Sequence, residues 1–415
     1  MSVDSLEVRL RFASDREHKV GTLARVGRDF VFQYAESFLG LNIPLSPLRL
    51  PVIAGVQVYD GQGRMEVFGV FEDAMPDSWG RRLVDRHFQK TLGRSPGVLE
   101  RLAYTGERAM GAVTFRPPLE STPLAATELD LAELGTQAWD FDNGQIEDAL
   151  PELRRLGGTS GGARPKVLVG LPEQGKVPHQ KVLPGDGDLP AGYGHWIVKF
   201  NARLDGPDAG PLEFAYAEMA VAAGADVPEH RLIQTDIGRF FVVRRFDRPA
   251  PGQRLHLHSA AGLLHADFRT PGDEYDILFR LTEALTRDYA QKRELFRRVC
   301  LNVLACNRDD HLKNFAFLMG PDGAWRLAPL FDFTCNNGPN GWQTLAVAGE
   351  GQNPRRKHLL KLAAQVDLRP RDALEIINQV RGAVSGFGKL ADKIGLSKLV
   401  TKQLKSRFSE IEGEQ

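Results

Sequence analysis

The stretch Cys306–Leu318, CNRDDHLKNFAFL, sets two aspartates, a histidine, a lysine and two asparagines directly before an apolar run. A core helix rarely carries so much adjacent polarity, and a solvent face rarely runs straight into Phe-Ala-Phe-Leu. The run FAFLM is followed by GPDG and then by AWRLAPLFDF. Apolar segments on either side of Pro-Asp-Gly predict a β-hairpin with its turn near Asp322-Gly323. An antiparallel hairpin brings its open ends together. Asn314, where the first strand starts, and Asp332, where the second ends, are therefore expected close in space, with Asp309 beside them.

Two oxygen ligands next to a free carboxylate suit phosphoryl transfer. A carboxylate and an amide oxygen, Asp332 and Asn314, can hold Mg²⁺ against nucleotide phosphates, because magnesium takes one or two carboxylates plus phosphate and water. The other aspartate, Asp309, can orient an attacking hydroxyl and accept its proton. Protein kinases use an Asp-x-x-x-x-Asn loop followed, after a short hairpin, by a metal-binding Asp-Phe-Gly. Here the order is Asp309, Asn314, then Asp332-Phe333, with Thr334 in the glycine's place and His311 where the kinase loop has its lysine. The spacing alone is common, and a helix C-terminus with polar caps is its plain alternative. The hairpin and Asp332 make it specific.

Upstream, GGTSGGARPK (157–166) precedes the strand-like VLVGL. Its backbone N–H groups can approach phosphates closely, although it matches neither a Walker A motif nor Gly-x-Gly-x-x-Gly. By itself it reads equally well as a surface turn. HWIVKF places Lys199 among apolar strand residues, as the phosphate-binding lysine of kinases is placed. Glu213 on the following helix could pair with Lys199, but a solvent-facing glutamate is the expectation. VVRRFDR, with Arg244 and Phe246, supplies a hinge backbone for adenine; an ordinary edge strand and turn is the alternative. These features in kinase order point to an ATP-dependent phosphotransferase.

The 415 residues suffice for two or three lobes, each with a sizeable core. Lys plus Arg equals Asp plus Glu at 53 each, which argues against gripping nucleic acid by bulk charge. LEVRLRF and VFGVF read as strands, and AMPDSWGRRLVDRHF as a helix opening near Pro76 and Asp77. QIEDALPELRRL reads as a helix. PLEFAYAEMAVAAGADVPEH reads as a helix ending at Gly224, and RFFVVRRF as a strand. The expected divisions are a β-rich unit over 1–118, a mixed lobe with the glycine-rich loop over 119–245, and a mostly helical lobe over 246–415. Residues 117–128, rich in Pro, Ser and Thr, read as a linker or surface loop. Cys300, Cys306 and Cys335 follow no metal spacing and read as small residues in a reducing compartment. His256-x-His258 lacks a third ligand and reads as strand pairing. The basic runs RRLVDRHFQK and NPRRKHLLK read as solvated faces. No apolar run spans a bilayer, so a soluble cytoplasmic protein with no membrane partner is expected.

The combination GGTSGGARPK, IVKF, RRFDR, NRDDHLKNF and LAPLFDF, with FEDAMPDSWGRRL and LAYTGERAMGAVTF upstream, resembles the HipA-like Ser/Thr kinases, toxins of type II toxin–antitoxin modules. The likeness spans nearly the whole chain. It implies a two-lobed α+β protein-kinase-like fold with an extra β-rich N-terminal subdomain. It further implies ATP and Mg²⁺ as cofactors, Asp309 as base, His311 and Lys313 near the γ-phosphate, and Asn314 and Asp332 as metal ligands. Gly158, Thr159, Ser160, Gly161, Gly162, Lys166, Lys199, Arg244 and Phe246 would form the nucleotide site. Similar toxins phosphorylate a serine of their own glycine-rich loop; counting back from Pro165-Lys166 puts Thr159 there, with Ser160 adjacent. The implied partners are a protein substrate, aminoacyl-tRNA synthetases being those of the best-known relatives, and a small helix-turn-helix antitoxin through which DNA would be contacted indirectly. A small-molecule phosphotransferase and a non-catalytic regulator on the same scaffold are the alternative readings.

Overall fold

Alternation of polar and apolar residues at the N-terminus folds as a pleated strand: β1 (Ser5–Ala13) buries Leu6, Val8, Leu10 and Phe12. The computed structural model describes residues 3–61, 65–76, 78–119, 128–149, 151–158, 162–174, 180–267 and 272–412. β2 (Arg16–Val26) and β3 (Asp29–Tyr34) follow antiparallel. After the single-turn α1 (Glu36–Leu39) come β4 (Val56–Val58), α2 (Gly69–Glu72), α3 (Ser78–Leu92), α4 (Val98–Thr105) and β5 (Val113–Arg116). The sheet order is β4-β3-β2-β1-β5.

VFGVF does not form the expected strand; it runs into α2. A five-residue apolar run has no period that separates strand from helix, so tertiary contact decides. The Gly69 N–H donates to His265 Nε2 at 3.0 Å, and a Cβ on Gly69 would collide with the Gly262 backbone.

The middle segment begins with β6 (Leu129–Asp130) and α5 (Leu131–Asp142), whose first turn is capped by Asp130 Oδ1 accepting from Ala132 N at 2.9 Å. α6 (Pro151–Gly157) is shorter than QIEDALPELRRL predicts, because the helix starts at its proline. β7 (Lys166–Pro172), β8 (Lys181–Pro184), β9 (Tyr193–Lys199), α7 (Ala209–Ala222), β10 (His230–Thr235) and β11 (Gly238–Arg244) complete it. The sheet order is β10-β11-β9-β7-β8-β6.

The last segment holds β12 (His256–Ser259), α8 (Ala260–Leu264), α9 (Asp276–Thr286), α10 (Tyr289–Leu304), β13 (Ala316–Met319), β14 (Trp325–Leu327), α11 (Arg356–Gln365), α12 (Pro370–Ser385), α13 (Phe387–Ile394) and α14 (Lys398–Glu412). The hairpin forms as expected, with Phe317 opposite Leu327 and Met319 opposite Trp325. Its turn passes through Gly323 at φ +77°, a left-handed value that glycine adopts without strain. β12 pairs with β13, and both of its histidines are buried in structural hydrogen bonds. His256 Nε2 lies 2.9 Å from the Leu45 carbonyl and His258 Nδ1 lies 2.7 Å from Asp73 Oδ2.

The fold is α+β and two-lobed. Each of the three segments contributes one sheet, yet their cores are shared. One core runs from Leu6 in β1 to Phe408 in α14. The core of the six-stranded sheet takes in Trp79 and Leu83 of α3. Most of the 117–128 stretch, residues 120–127, lies outside the described residues.

Candidate active site

β7 and β9 pair in a register that sets Lys166 directly opposite Lys199. Lys199 Nζ donates to Glu213 Oε2 of α7 at 2.8 Å and also to Asp332 Oδ1. Glu213 is not solvent-facing, as expected from the sequence, but buried. Its other oxygen accepts from Arg164 Nη1 at 2.7 Å. The signal lay in α7 itself: AGPLEFAYAEMAVA is apolar on most sides, and of its two glutamates Glu213 is buried while Glu218 stays partly exposed beside His230. Arg164, which the sequence reading passed over, also lies 3.2 Å from Asp205.

The electrostatics of this cluster are set by opposed forces. Burial pulls the Lys199 ammonium down, but Asp332 and Glu213 outweigh it and hold Lys199 well above the ordinary lysine range. Burial likewise pushes the Asp332 carboxyl up, and Lys199 and Lys166 overcome it, keeping Asp332 ionised far below the usual carboxylate range.

The catalytic-loop candidates follow α10. The Asn314 side chain donates from Nδ2 to the Asp309 carbonyl at 2.7 Å, which closes the loop on itself. His311 Nε2 stands 3.7 Å from Asp309 Oδ1. Burial lowers the His311 imidazole, while Asp309 and Asp332 both pull it back up. Asp309 itself is half-exposed, accessible to an incoming group. Lys313 lies within electrostatic reach of Glu72 and Asp73 at the end of α2. Asp310 is buried; it accepts from Tyr275 Oη and from the Thr344 N–H at 2.8 Å, so it fastens the loop to the segment beyond Asp332.

The glycine-rich loop is braced by α3 of the N-terminal unit. The Trp79 N–H donates to the Gly162 carbonyl at 3.3 Å, and its indole Nε1 to the Lys166 carbonyl at 3.2 Å. A Cβ on Gly80 would sit 2.6 Å from the Gly158 carbonyl oxygen. Gly162, at φ +98°, lies against the Lys166 ammonium, and a Cβ there would be 3.8 Å from Asp332 Oδ2. Gly158 and Gly162 thus frame the loop; Thr159, Ser160 and Gly161 lie outside the described residues.

Of the two hinge candidates, Arg244 has its side chain engaged in ion pairs. Its guanidinium is held by Glu173 at 2.7 Å and Glu229 at 3.2 Å, and its N–H by the Glu229 carbonyl at 2.8 Å. Arg244 is the last residue of β11, opposite Trp196 of β9. Phe246 packs instead against Phe331, the neighbour of Asp332, with ring centroids 5.6 Å apart.

The residues present fit a hard divalent cation. Asp332 is held ionised, and the Asn314 amide is fixed through its nitrogen, leaving its oxygen as a donor. Among the described residues no group of three or more His, Cys, Asp or Glu side chains is placed to hold a metal.

The family model described as HipA-like C-terminal domain matches residues 158–387, more than half of the chain. The chain belongs to the HipA family. A second model, the HipA N-terminal domain, matches residues 14–116, so α3 and the loop it braces fall in the two different family domains. The chain is similar to two curated proteins, "Putative kinase" of Haemophilus influenzae and "Putative kinase Y4dM" of Sinorhizobium fredii. The first is 26% identical over 46% of this chain and 60% of its own length. The second is 29% identical over 34% of this chain and 37% of its own length. The chain therefore spans less than two thirds of either relative. Among solved structures it resembles HipA in a Shewanella oneidensis complex of HipA, HipB and operator DNA. The TM-score is 0.71 at 17% identity, covering 98% of this chain and 97% of that one, a likeness of fold. No helix among the described residues is long and apolar enough to cross a membrane.

Proposed function

We propose that this HipA-family chain is an ATP- and Mg²⁺-dependent Ser/Thr protein kinase acting as the toxin of a toxin–antitoxin module. The observation that carries the reading is the convergence of Lys199, Glu213 and Asp332 beside the Asp309–Asn314 loop. Lys199, fixed by Glu213, presents an ammonium to the phosphates of ATP. In this reading the glycine-rich loop would bind the same phosphates through its backbone, and Phe246, packed on Phe331, would belong to the hinge beside the base. Asp309 accepts the proton of the incoming hydroxyl as its oxygen bonds to the γ-phosphorus and the bond to ADP breaks. His311 and Lys313 are the side chains this reading sets near that phosphate, Lys313 supplying positive charge. Asp332 and the Asn314 oxygen would hold Mg²⁺, which when bound neutralises the charge of the transferring group.

In this reading the acceptor is a protein of the translation machinery, an aminoacyl-tRNA synthetase being one candidate. Thr159 or Ser160 is the candidate self-acceptor. The relative of known structure is bound to HipB and operator DNA, which supports a small helix-turn-helix antitoxin as partner here, with DNA contacted through it. Incubating the full chain with γ-labelled ATP and a cell extract tests the acceptor class. Label in a protein band is the expected result; label confined to small molecules favours the small-molecule phosphotransferase, and no Mg²⁺-dependent turnover favours a non-catalytic regulator.

A further inference from the structure

The cysteines have no part in the phosphotransfer reading, yet two of them are neighbours. Cys306 follows the Ala305 cap of α10, and Cys335 stands three residues beyond Asp332. A parallel bridge pairs Asn307 with Asn336. Within it the Asn336 N–H donates to the Cys306 carbonyl at 3.1 Å, and the Arg308 N–H to the Asn336 carbonyl at 3.2 Å. The residues before the two asparagines, Cys306 and Cys335, therefore lie on adjacent segments. Segments paired in this way run about 4.8 Å apart, within the Cα separation of roughly 4.4–6.8 Å that a disulfide spans.

Two side chains from other elements act on both thiols. The Tyr216 hydroxyl of α7 donates to the Ala305 carbonyl at 2.7 Å, is hydrogen-bonded to the Cys335 side chain and lies within electrostatic reach of Cys306. Arg407 of α14 donates from Nη1 to Cys335 Sγ at 3.4 Å and lies within electrostatic reach of Cys306. The Cys306 backbone is left-handed, φ +58°, at the position after a helix cap that glycine usually takes. The two thiols differ in access: Cys306 is buried and Cys335 half-buried. Burial, then Cys335, hold Cys306 up at about 12, while Arg308 and Arg407 pull it down. Cys300 is buried farther back in α10.

We propose that Cys306 and Cys335 form a reversible redox site, a dithiol that a low-molecular-weight disulfide such as glutathione disulfide converts to a protein disulfide. Cys335, the more accessible thiol with a guanidinium at its sulfur, attacks first as its thiolate. Its sulfur bonds to one glutathione sulfur, the glutathione S–S bond breaks, and the other glutathione leaves as a thiolate that takes up the Cys335 proton. Capping Cys335 removes one of the causes that hold the Cys306 thiol up. The Cys306 thiolate then attacks the Cys335 sulfur and expels the second glutathione, which takes up the Cys306 proton. The two cysteines lose two electrons and two protons, and glutathione disulfide gains them as two thiols. The link closes a covalent loop around Asp309, Asn314 and Asp332, and ties the start of the catalytic loop to the segment after the candidate metal ligand. The site stands on the two thiols and not on the phosphotransfer reading.

Incubating the folded full chain with glutathione disulfide, then reading its intact mass and a non-reduced peptide map, tests the site. The expected result is a loss of two hydrogens from the mass and a linked peptide joining Cys306 to Cys335, with Cys300 still a thiol. Dithiothreitol should restore the starting mass. Cys306→Ser is expected to stop at a glutathione adduct on Cys335, and Cys335→Ser to stay unmodified. The wild-type map reads the link without either variant. A wild-type chain that keeps glutathione on Cys335 without forming the link overturns the proposal. So does one that links Cys300, that forms the link only in urea, or that stays fully reduced.

Discussion

Glu213 holds two cations, Lys199 and Arg164, in the interior of the lobe. Removing it leaves buried Lys199 to Asp332 alone and the partly exposed Arg164 to Asp205. Glu213→Ala is expected to cost on the order of 3 kcal/mol in urea unfolding and to reduce phosphate transfer sharply; a change below about 0.5 kcal/mol would mean the pair is not buried in solution. Asp310 offers a test with a definite sign. Burial raises its carboxyl to about 6, only partly offset by the hydrogen bonds it accepts from Tyr275 and Thr344. A carboxyl raised in the folded state binds its proton more tightly there than in the unfolded chain. Its contribution to stability is therefore full below about pH 4 and is lost as pH rises toward 6. Asp310→Asn should flatten the stability profile between those values, and an unchanged slope would contradict the assignment. At this scale much could be read beforehand. The hairpin that leads from Asn314 to Asp332 follows from turn chemistry, and HWIVKF singled out Lys199 by its place among apolar strand residues. Glu213 and Arg164 were obscured because a lone glutamate or arginine gives no period, and the apolar character of α7 does not choose between Glu213 and Glu218.

Among the elements, the hairpin β13–β14 was the most legible, since its turn chemistry and flanking apolar runs agree on one answer. VFGVF was illegible for the opposite reason: its five residues allow two structures, and Gly262 across the interface selects one. α3 links fold and site most directly. Gly80 lets this helix press on the Gly158 carbonyl, while Trp79 hydrogen-bonds the Gly162 and Lys166 carbonyls on the far side of the loop. Gly80→Ala is expected to destabilise the chain by about 1–3 kcal/mol through overpacking and to weaken ATP binding, measured by calorimetry. Normal nucleotide affinity in a destabilised Gly80→Ala protein would separate α3 from the loop.

For the whole molecule, composition and order of elements gave the two lobes, but the independence suggested by the boundaries at 118 and 245 does not extend to the cores. Apolar contact crosses them because α3 fills the core of the middle sheet, and the first sheet shares a core with the C-terminal helices. A chain beginning at residue 119 should therefore lack a cooperative thermal transition; a sharp one would show that the lobes stand alone. The central claim, that the Asp309 loop and Asp332 form a phosphotransfer centre, meets its most direct test in Asp309→Asn. With γ-labelled ATP and Mg²⁺, transfer should fall by at least about 10²-fold, while ATP affinity and unfolding midpoint stay near wild type. Transfer at the wild-type rate would contradict the account.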